Sequence, residues 1–550
     1  MVLKYNLRIM KRITLYIRLV CLLSMVAVTA FAAPEASFKK LYKTYTLNKD
    51  GSMVERVYKE LDIYTHAAMN GKYGESFIVY NPEFQKLKIN ESYTLQKDGN
   101  KVVTPENAFV EALPSCAANA PAYNHLKEMI VVHTGLELGA KIVLDYTVET
   151  KAEMCGELDI FSMIKELSPI EDFRLTISVP ESKKLNCELL NLSAKPSVSV
   201  ANGMKTVSYS IKNIAPRPYS YPVYNSTVGV VQQVASGMMP AFTASTYENV
   251  KAAADVLNKQ FKVGDSKVIE DKIAEFKKEC GGDKDKLRKA INRFMTYLYG
   301  AKGLSGVSLP EAGYRLRPAS EVLLSMYGTR AELANLDNVL HKAAGLDAYI
   351  KMCFVKASDM NCVGLSGIVS VVSDSEMNSA NKCYADVQQF MAVTDLKGDK
   401  SSLRNDNLES QSKELKTIEV NDKSSKSLAG GYVAVSIPSQ SVGSALYSYS
   451  ENTSISENII LPCKVCRVKQ YNVKVPDGKT WINKKNVKVS NEVGEFSVEY
   501  KQENGDVKAI YTLNVNEQLI TVKNYKQFYS LMSECKASNN YAILFNVSSK

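Results

Sequence analysis

The chain has 550 residues, 45% of them hydrophobic and 23% charged, a composition that excludes general disorder. At about one domain per 100–200 residues, this length implies three or four domains. The formal charge of +10 includes five basic and no acidic residues in the first 33 positions, so the remainder carries about +5 and offers no basis for a nucleic-acid partner. Tyrosine is the compositional exception: 31 of them, against the single Trp481, favour β-structure.

Residues 1–33 read as a signal peptide. Lys4, Arg8, Lys11, Arg12 and Arg18 precede the mostly apolar run Leu19 to Ala33, which ends in the small-residue pattern Ala30-Phe31-Ala32. About 15 apolar residues fall short of the roughly 20 that span a bilayer, so cleavage near Ala32 or Ala33 is expected, and no transmembrane anchor in the mature chain. Cys21 could point to a lipid-modified cysteine, but Val20 stands where a small residue would be needed.

Residues 34–240 are expected to form an N-terminal β-sandwich. "YTLNKDGSMVERVYKELDIY" sets Asp50-Gly51 between alternating runs, a strong hairpin signal, and "YTLQKDGNKVV" repeats the device with Asp98-Gly99. Tyr-Thr-Leu before a turn is common strand chemistry and needs no duplication to explain it. Strands follow at "KIVLDYTVET" and "FRLTISVP", and Pro216 and Pro218 mark an exit from the sheet.

Near residue 244 the period changes. "ASTYENVKAAADVLNKQF", "KVIEDKIAEFKKEC" and "DKLRKAINRFMTYLYG" carry apolar residues at three- and four-residue spacing, which predicts amphipathic helices over one core in a central unit, 241–394. Within it, Thr329 and Glu332 have the spacing of a capping box at a helix start. Leu333, Leu336 and Leu340 continue an apolar face, Gly345 can end the helix, and "DAYIKMCFV" reads as a buried strand. Residues 395–428 are polar and charged, and read as a loop or linker. Strand signals return in 429–550, with an Asn504-Gly505 turn and a short helix at "NYKQFYSLMSE", predicting a small C-terminal β-sandwich.

Ten of the 11 cysteines lie beyond the signal, widely spaced, unlike a dense disulfide scaffold. Cys463 and Cys466 form a lone "CKVC" with no second pair and no histidine nearby, so a local disulfide or two thiols is the expectation there. His66, His125, His133 and His341 lack ligand spacing. No metal site and no cofactor are expected.

This order of parts resembles exported bacterial proteins with an N-terminal β-sandwich domain of unknown function, a transglutaminase-like (papain-like) core and a C-terminal β-domain. The resemblance implies a multidomain α+β fold. It rests most specifically on Arg317-Pro318, Tyr327-Gly328 and "AGLDAYIKM"; the family reads Arg-Pro, a Gly-Asp-Cys turn, a helix, and Gly-Ile-x-Ala-Tyr before a strand. Here Thr329 replaces the aspartate and Arg330 the nucleophilic cysteine. A guanidinium does not deprotonate and is no nucleophile. The family's general base is a histidine downstream, yet none follows His341, which lies eleven residues past Arg330, about 16 Å away along one helix. Cys353, Cys362 and Cys383 likewise lack a downstream histidine.

The resemblance therefore implies a pseudoenzyme with no catalytic residues, acting as a binding or structural module in the periplasm or at the outer membrane of a Gram-negative cell envelope. Its expected partner is a protein, a peptide or an acidic glycan, with Arg330 as the candidate binding residue. Two alternatives stay open. One is an envelope hydrolase, peptidase-like or glycan-directed, using Ser, Asp or Glu. The other is a glycan-binding sandwich with tyrosine platforms. N-terminal sequencing of the protein recovered from the envelope fraction is expected to begin close to Pro34, and a cytoplasmic protein retaining residues 1–20 would contradict the export reading.

Overall fold

The structure is a computed structural model that describes residues 34–164, 166–217, 240–304, 307–355, 357–374, 391–395, 401–403, 409–418, 424–437, 442–455, 458–461, 464–482, 485–538 and 542–547. The expected signal peptide, Pro218, Cys383 and Cys463 lie outside them. The fold is multidomain and rich in β-sheet.

An eight-stranded sheet organises the N-terminal part. Its strand order is Ser197–Ala201, Met204–Ile214, Ile170–Pro180, Ala36–Leu47, Met53–Ile63, Lys141–Thr150, Gln85–Leu95 and Lys101–Val103. Neighbours run antiparallel except Ala36–Leu47 beside Ile170–Pro180, where Leu41 sits opposite Phe173 in a parallel pair. Alternation does the packing: Phe38, Leu41, Phe173, Leu175 and Ile177 face a core shared with Ile160, Phe242 and Ala244 of a three-stranded sheet, Asn186–Leu190, Ala241–Ser245 and Asp159–Met163. A second three-stranded sheet, Glu75–Tyr80, Lys127–Val132 and Phe109–Ala112, packs Ile78 and Val131 against Leu144.

Both anticipated hairpin turns form, and they are built alike. Asn48 donates to the Ser52 carbonyl and Gln96 to the Asn100 carbonyl, each at 2.8 Å, while Asp50 and Asp98 accept from the backbone two residues on. Gly51 and Gly99 supply the left-handed backbone, at φ +85° and +91°.

The central part carries the expected helices. α1 (Val250–Asn258) buries Val250, Ala253, Ala254 and Leu257; α2 (Ser266–Cys280) is capped by Asp265 and ends at left-handed Gly281; α3 (Lys284–Lys302) is capped by Asp283. α4 (Ala319–Ser325) starts after Pro318, and α5 (Arg330–Ala343) after Thr329. The spacing of leucines implied one apolar face for α5, but all eleven positions after Arg330, from Ala331 to His341, are buried. One side, with Leu333, Leu336 and Leu340, meets α2, α3 and α4; the other turns Ala331 and Ala334 toward Ile350, Met352 and Phe354 of the strand Tyr349–Val355. Alanines are small enough to let helix and sheet approach.

Two boundaries differ from expectation. Ala241–Ser245, placed by sequence in the central unit 241–394, is the middle strand of an N-terminal sheet, because pairing on both sides satisfies its entirely buried backbone. The polar segment 395–428 is not a plain linker. Ser401–Leu403 pairs with Met391–Asp395, and Glu409–Ile418 pairs in parallel with Lys464–Lys474 as an edge strand of the C-terminal sheet. Backbone pairing at a sheet edge requires no apolar sequence, which is why composition hid it.

The C-terminal part has its own core. A five-stranded sheet with the order Glu409–Ile418, Lys464–Lys474, Asp506–Val515, Gly494–Glu503 and Val487–Asn491 buries Phe496, Val498 and Leu513 against Phe528 and Leu531 of α6 (Tyr525–Ala537). Cys466 is a free thiol there. Among the described residues, no helix is long and apolar enough to cross a membrane.

The two turns give a paired stability test. An alanine at 99 meets open space, so Gly99→Ala should cost only its left-handed backbone, about 1 kcal/mol. At 51 the new Cβ would also lie 3.3 Å from the Ala152 Cβ, so Gly51→Ala should lower the urea midpoint further. Equal losses would contradict that packing contribution.

Candidate functional site

The start of α5 is built around one buried carboxylate. Thr329 caps the helix by accepting from the Glu332 amide at 3.3 Å, and its own amide donates to Glu332 Oε2 at 2.8 Å, completing the capping box. Glu332 is 0% exposed. A charge so placed requires compensation. Arg317 provides it: its Nε reaches Oε1 at 3.0 Å, its Nη2 reaches Oε2 at 3.1 Å, and its backbone amide donates to Oε1 at 3.0 Å.

Arg317 is held in turn. Its Nη1 donates to Ser325 Oγ and its Nη2 to the Tyr327 carbonyl, and its guanidinium lies over the rings of Tyr327 and Tyr123, 4.6 and 5.8 Å from their centroids. Tyr123 comes from the N-terminal part, 209 residues before Glu332, and its hydroxyl donates to Glu332 Oε1 at 2.8 Å. Burial and the neighbouring carboxylate hold its phenol well above the usual range. The Ala122 amide donates to Tyr327 Oη at 2.9 Å, and Ala117, Ala120, Tyr123 and Leu126 pack on Val307 and Ala312. Side chains from 115–126 thus cover the helix start.

The residues named from sequence are distributed as follows. Thr329 and Glu332 are joined as the spacing implied. Arg330 is half-buried at the first position of α5 and is engaged by neighbouring groups. His341, at the far end of α5, is 1% exposed and sits 2.9 Å from Asp337 Oδ1. Burial opposes its charged form, but the hydrogen bonds and the charge of Asp337 together outweigh it and raise its pKa. Cys362 is buried, which pushes its thiol up to about 12.

Sequence reasoning missed Arg317 as the partner of Glu332, and missed Tyr123, Cys116 and His125. Arg317 carried a signal, standing beside Pro318 before a capped helix. The others carried none, because their proximity is made by the docking of 115–126. Cys116 packs in the cluster with Tyr123 and Tyr327, its thiol pushed up first by burial and then by Glu311. The His125 ring lies 6.3 Å from that of Tyr123. Among the described residues, no hydrogen bond joins Cys116 to His125.

Removing the hub should be costly. Glu332→Gln places an amide against five donor groups from three residues and strands Arg317, so unfolding free energy should fall by about 3 kcal/mol. Tyr123→Phe, which removes one hydrogen bond to a charged group, should cost about 1.5–2 kcal/mol. Urea unfolding of the two variants measures both, and a neutral Glu332→Gln would show that the carboxylate is not the hub.

Residues 49–218 match DUF3857, and residues 435–545 match DUF3858, each a domain of unknown function with a solved structure. Among solved structures, the chain is similar to one from Parabacteroides distasonis described as "a putative protease", with 31% identity over 93% of this chain and 99% of that one, at a TM-score of 0.67. An M1 zinc metallopeptidase from Deinococcus radiodurans matches 38% of this chain and 42% of its own at 9% identity and a TM-score of 0.19, too low to carry an argument. No curated protein matches. At 31% identity over nearly its whole length, the chain belongs to the family of the Parabacteroides distasonis protein, and it combines a DUF3857 domain with a DUF3858 domain.

Proposed function

We propose that the protein is an exported, catalytically silent member of the transglutaminase-like group, acting as a binding or structural module in the bacterial cell envelope. One observation carries this reading: the helix start that would present a nucleophile bears Arg330, and the groups around it are committed to a buried ion pair and capping box. A thiolate gains from the first turn of a helix, whereas a guanidinium there supplies neither nucleophile nor base. The only histidine on α5, His341, is tied to Asp337 at the opposite end. In this reading Arg330 serves as a fixed cation for a carboxylate of a protein, peptide or acidic glycan partner.

A second reading, an envelope hydrolase working without a thiol, draws on the description of the Parabacteroides distasonis protein. One hydroxyl set beside a carboxylate is that of Ser366, whose Oγ donates to Asp159 at 2.6 Å. No histidine mediates that pair, and the same carboxylate also accepts the Ser366 amide at 3.1 Å. Its evident work is to tie the central part to the N-terminal sheet.

The test is chemical. Purified mature protein should show no iodoacetamide-sensitive peptide cleavage or amine incorporation, and Arg330→Cys should not create it, because without a paired base most of the thiol stays protonated near neutral pH. Turnover abolished by iodoacetamide would overturn the reading, and its loss in Cys116→Ser would identify Cys116 as the thiol. Iodoacetamide-resistant turnover lost in Ser366→Ala would favour the hydrolase.

A further inference from the structure

A cavity of about 240 Å³ opens where the N-terminal sheets meet the central part, and none of its lining residues belongs to the start of α5. Tyr45, Phe161 and Tyr314 contribute aromatic walls, and Met53 and Met154 add apolar surface. Three carboxylates line it: Glu55, Glu157 and Asp159. Glu157 is compensated by Lys183 Nζ at 2.5 Å. The other two are not. Glu55 accepts from Tyr45 Oη at 2.9 Å, and Asp159, 9% exposed, accepts only from Ser366 and the backbone there. Among the described residues, no cationic side chain lies within ion-pair distance of either. The cavity's own lysine, Lys151, directs its ammonium to the Glu83 carbonyl at 2.9 Å, and Lys43, nearby, donates to Ser162 Oγ at 3.0 Å.

Carboxylates without counter-charge beside aromatic walls recognise one chemistry. We propose that this cavity binds a primary ammonium ion on a short apolar stem, the charge at Asp159 and Glu55 and the stem against Tyr45, Phe161 and Tyr314. The ammonium supplies the charge that the chain withholds, and ring faces add attraction for a partly desolvated cation. An apolar body with a few convergent polar groups is also how small-ligand sites are generally built. This site stands independently of whether the start of α5 is catalytic.

Protonation gives the proposal a signature. Burial pushes the Asp159 carboxyl up to about 6, against the opposing hydrogen bonds from Ser366 and Leu365. The titratable and charged groups around it are Cys155 and Glu157 on its own segment, Glu55, Tyr45 and Lys43 on the sheet strands, Lys151 just past the strand Lys141–Thr150, and Tyr247 and Tyr314 from the central part. The Cys155 thiol, pushed up to about 11 by burial, stays neutral across this range. An ammonium ion favours ionised Asp159, so affinity should rise with pH through about 6 and level off above it.

Calorimetric titration of the full mature chain with pentylamine tests this, with pentan-1-ol and pentanoate as neutral and anionic counterparts. Pentylamine should bind, its affinity about tenfold higher at pH 7 than at pH 5. Asp159→Asn should remove that pH step, and Glu55→Gln should weaken binding severalfold while keeping it. Should Asp159→Asn fail to fold, the natural protein's pH profile and Glu55→Gln decide. A free amine and a lysyl side chain share this chemistry, so tighter binding of Nα-acetyl-lysinamide than of pentylamine would assign the site to a polypeptide lysine, and the reverse to a free amine. The proposal is overturned if pentan-1-ol or pentanoate binds as tightly as pentylamine, or if pentylamine affinity is flat between pH 5 and 7. Unchanged affinity in Glu55→Gln, or no binding up to about 10 mM, would overturn it equally.

Discussion

The carboxylate of Glu332 is the point through which the central part of this protein is assembled. It is fully buried, and a buried charge is tolerable only when donors surround it. Those donors come from three places in the chain: the helix cap at Thr329, the Arg317-Pro318 segment, and Tyr123 of the N-terminal part. Because the ion pair fixes both Arg317 and the first turn of α5, it also determines where Arg330 emerges. The side chain that capping logic treats as a local device thus holds distant segments in register.

The join between the N-terminal and central parts follows the same principle with less charge. Asp159 takes the hydroxyl and amide of Ser366, Glu188 takes the amides of Ser358 and Asp359 at 3.0 Å each, and Thr243 donates to the Cys362 carbonyl at 2.7 Å. Around these lies a continuous apolar core, in which Leu190 and Ala241 meet Phe354, Val355 and Val363. Hydrogen bonds here give direction to contacts whose strength comes from burial. Where the packing is incomplete a cavity remains, and among the described residues two of its carboxylates, Glu55 and Asp159, face it with no cationic side chain at ion-pair distance.

Thiol chemistry is disfavoured by the same interior. Cys155, Cys187 and Cys362 are all raised by burial, so neutral thiol predominates at ordinary pH. They behave as small apolar side chains with weak polar contacts, as Cys155 does against Tyr247 Oη at 3.1 Å.

Local signals were legible in the sequence because their physics acts within a few residues. Asp50-Gly51 and Asp98-Gly99 specify their turns through backbone freedom and side-chain acceptance two residues on. Thr329 and Glu332 specify a cap, and the apolar spacing of α1, α2 and α3 specifies which face is buried. What lay beyond the sequence depended on groups far apart in it. Tyr123 reaches Glu332 only after two parts dock, and Ala241–Ser245 joins an N-terminal sheet because partners lie on both sides. Glu409–Ile418 becomes a strand through backbone pairing that no side-chain pattern announces. The charge balance of the cavity is likewise a tertiary property, since whether a carboxylate is compensated depends on which lysines packing brings near. Sequence determined the turns, caps and faces by short-range sterics and hydrogen bonding; the tertiary structure alone decided the site, because long-range packing chooses which buried charges meet.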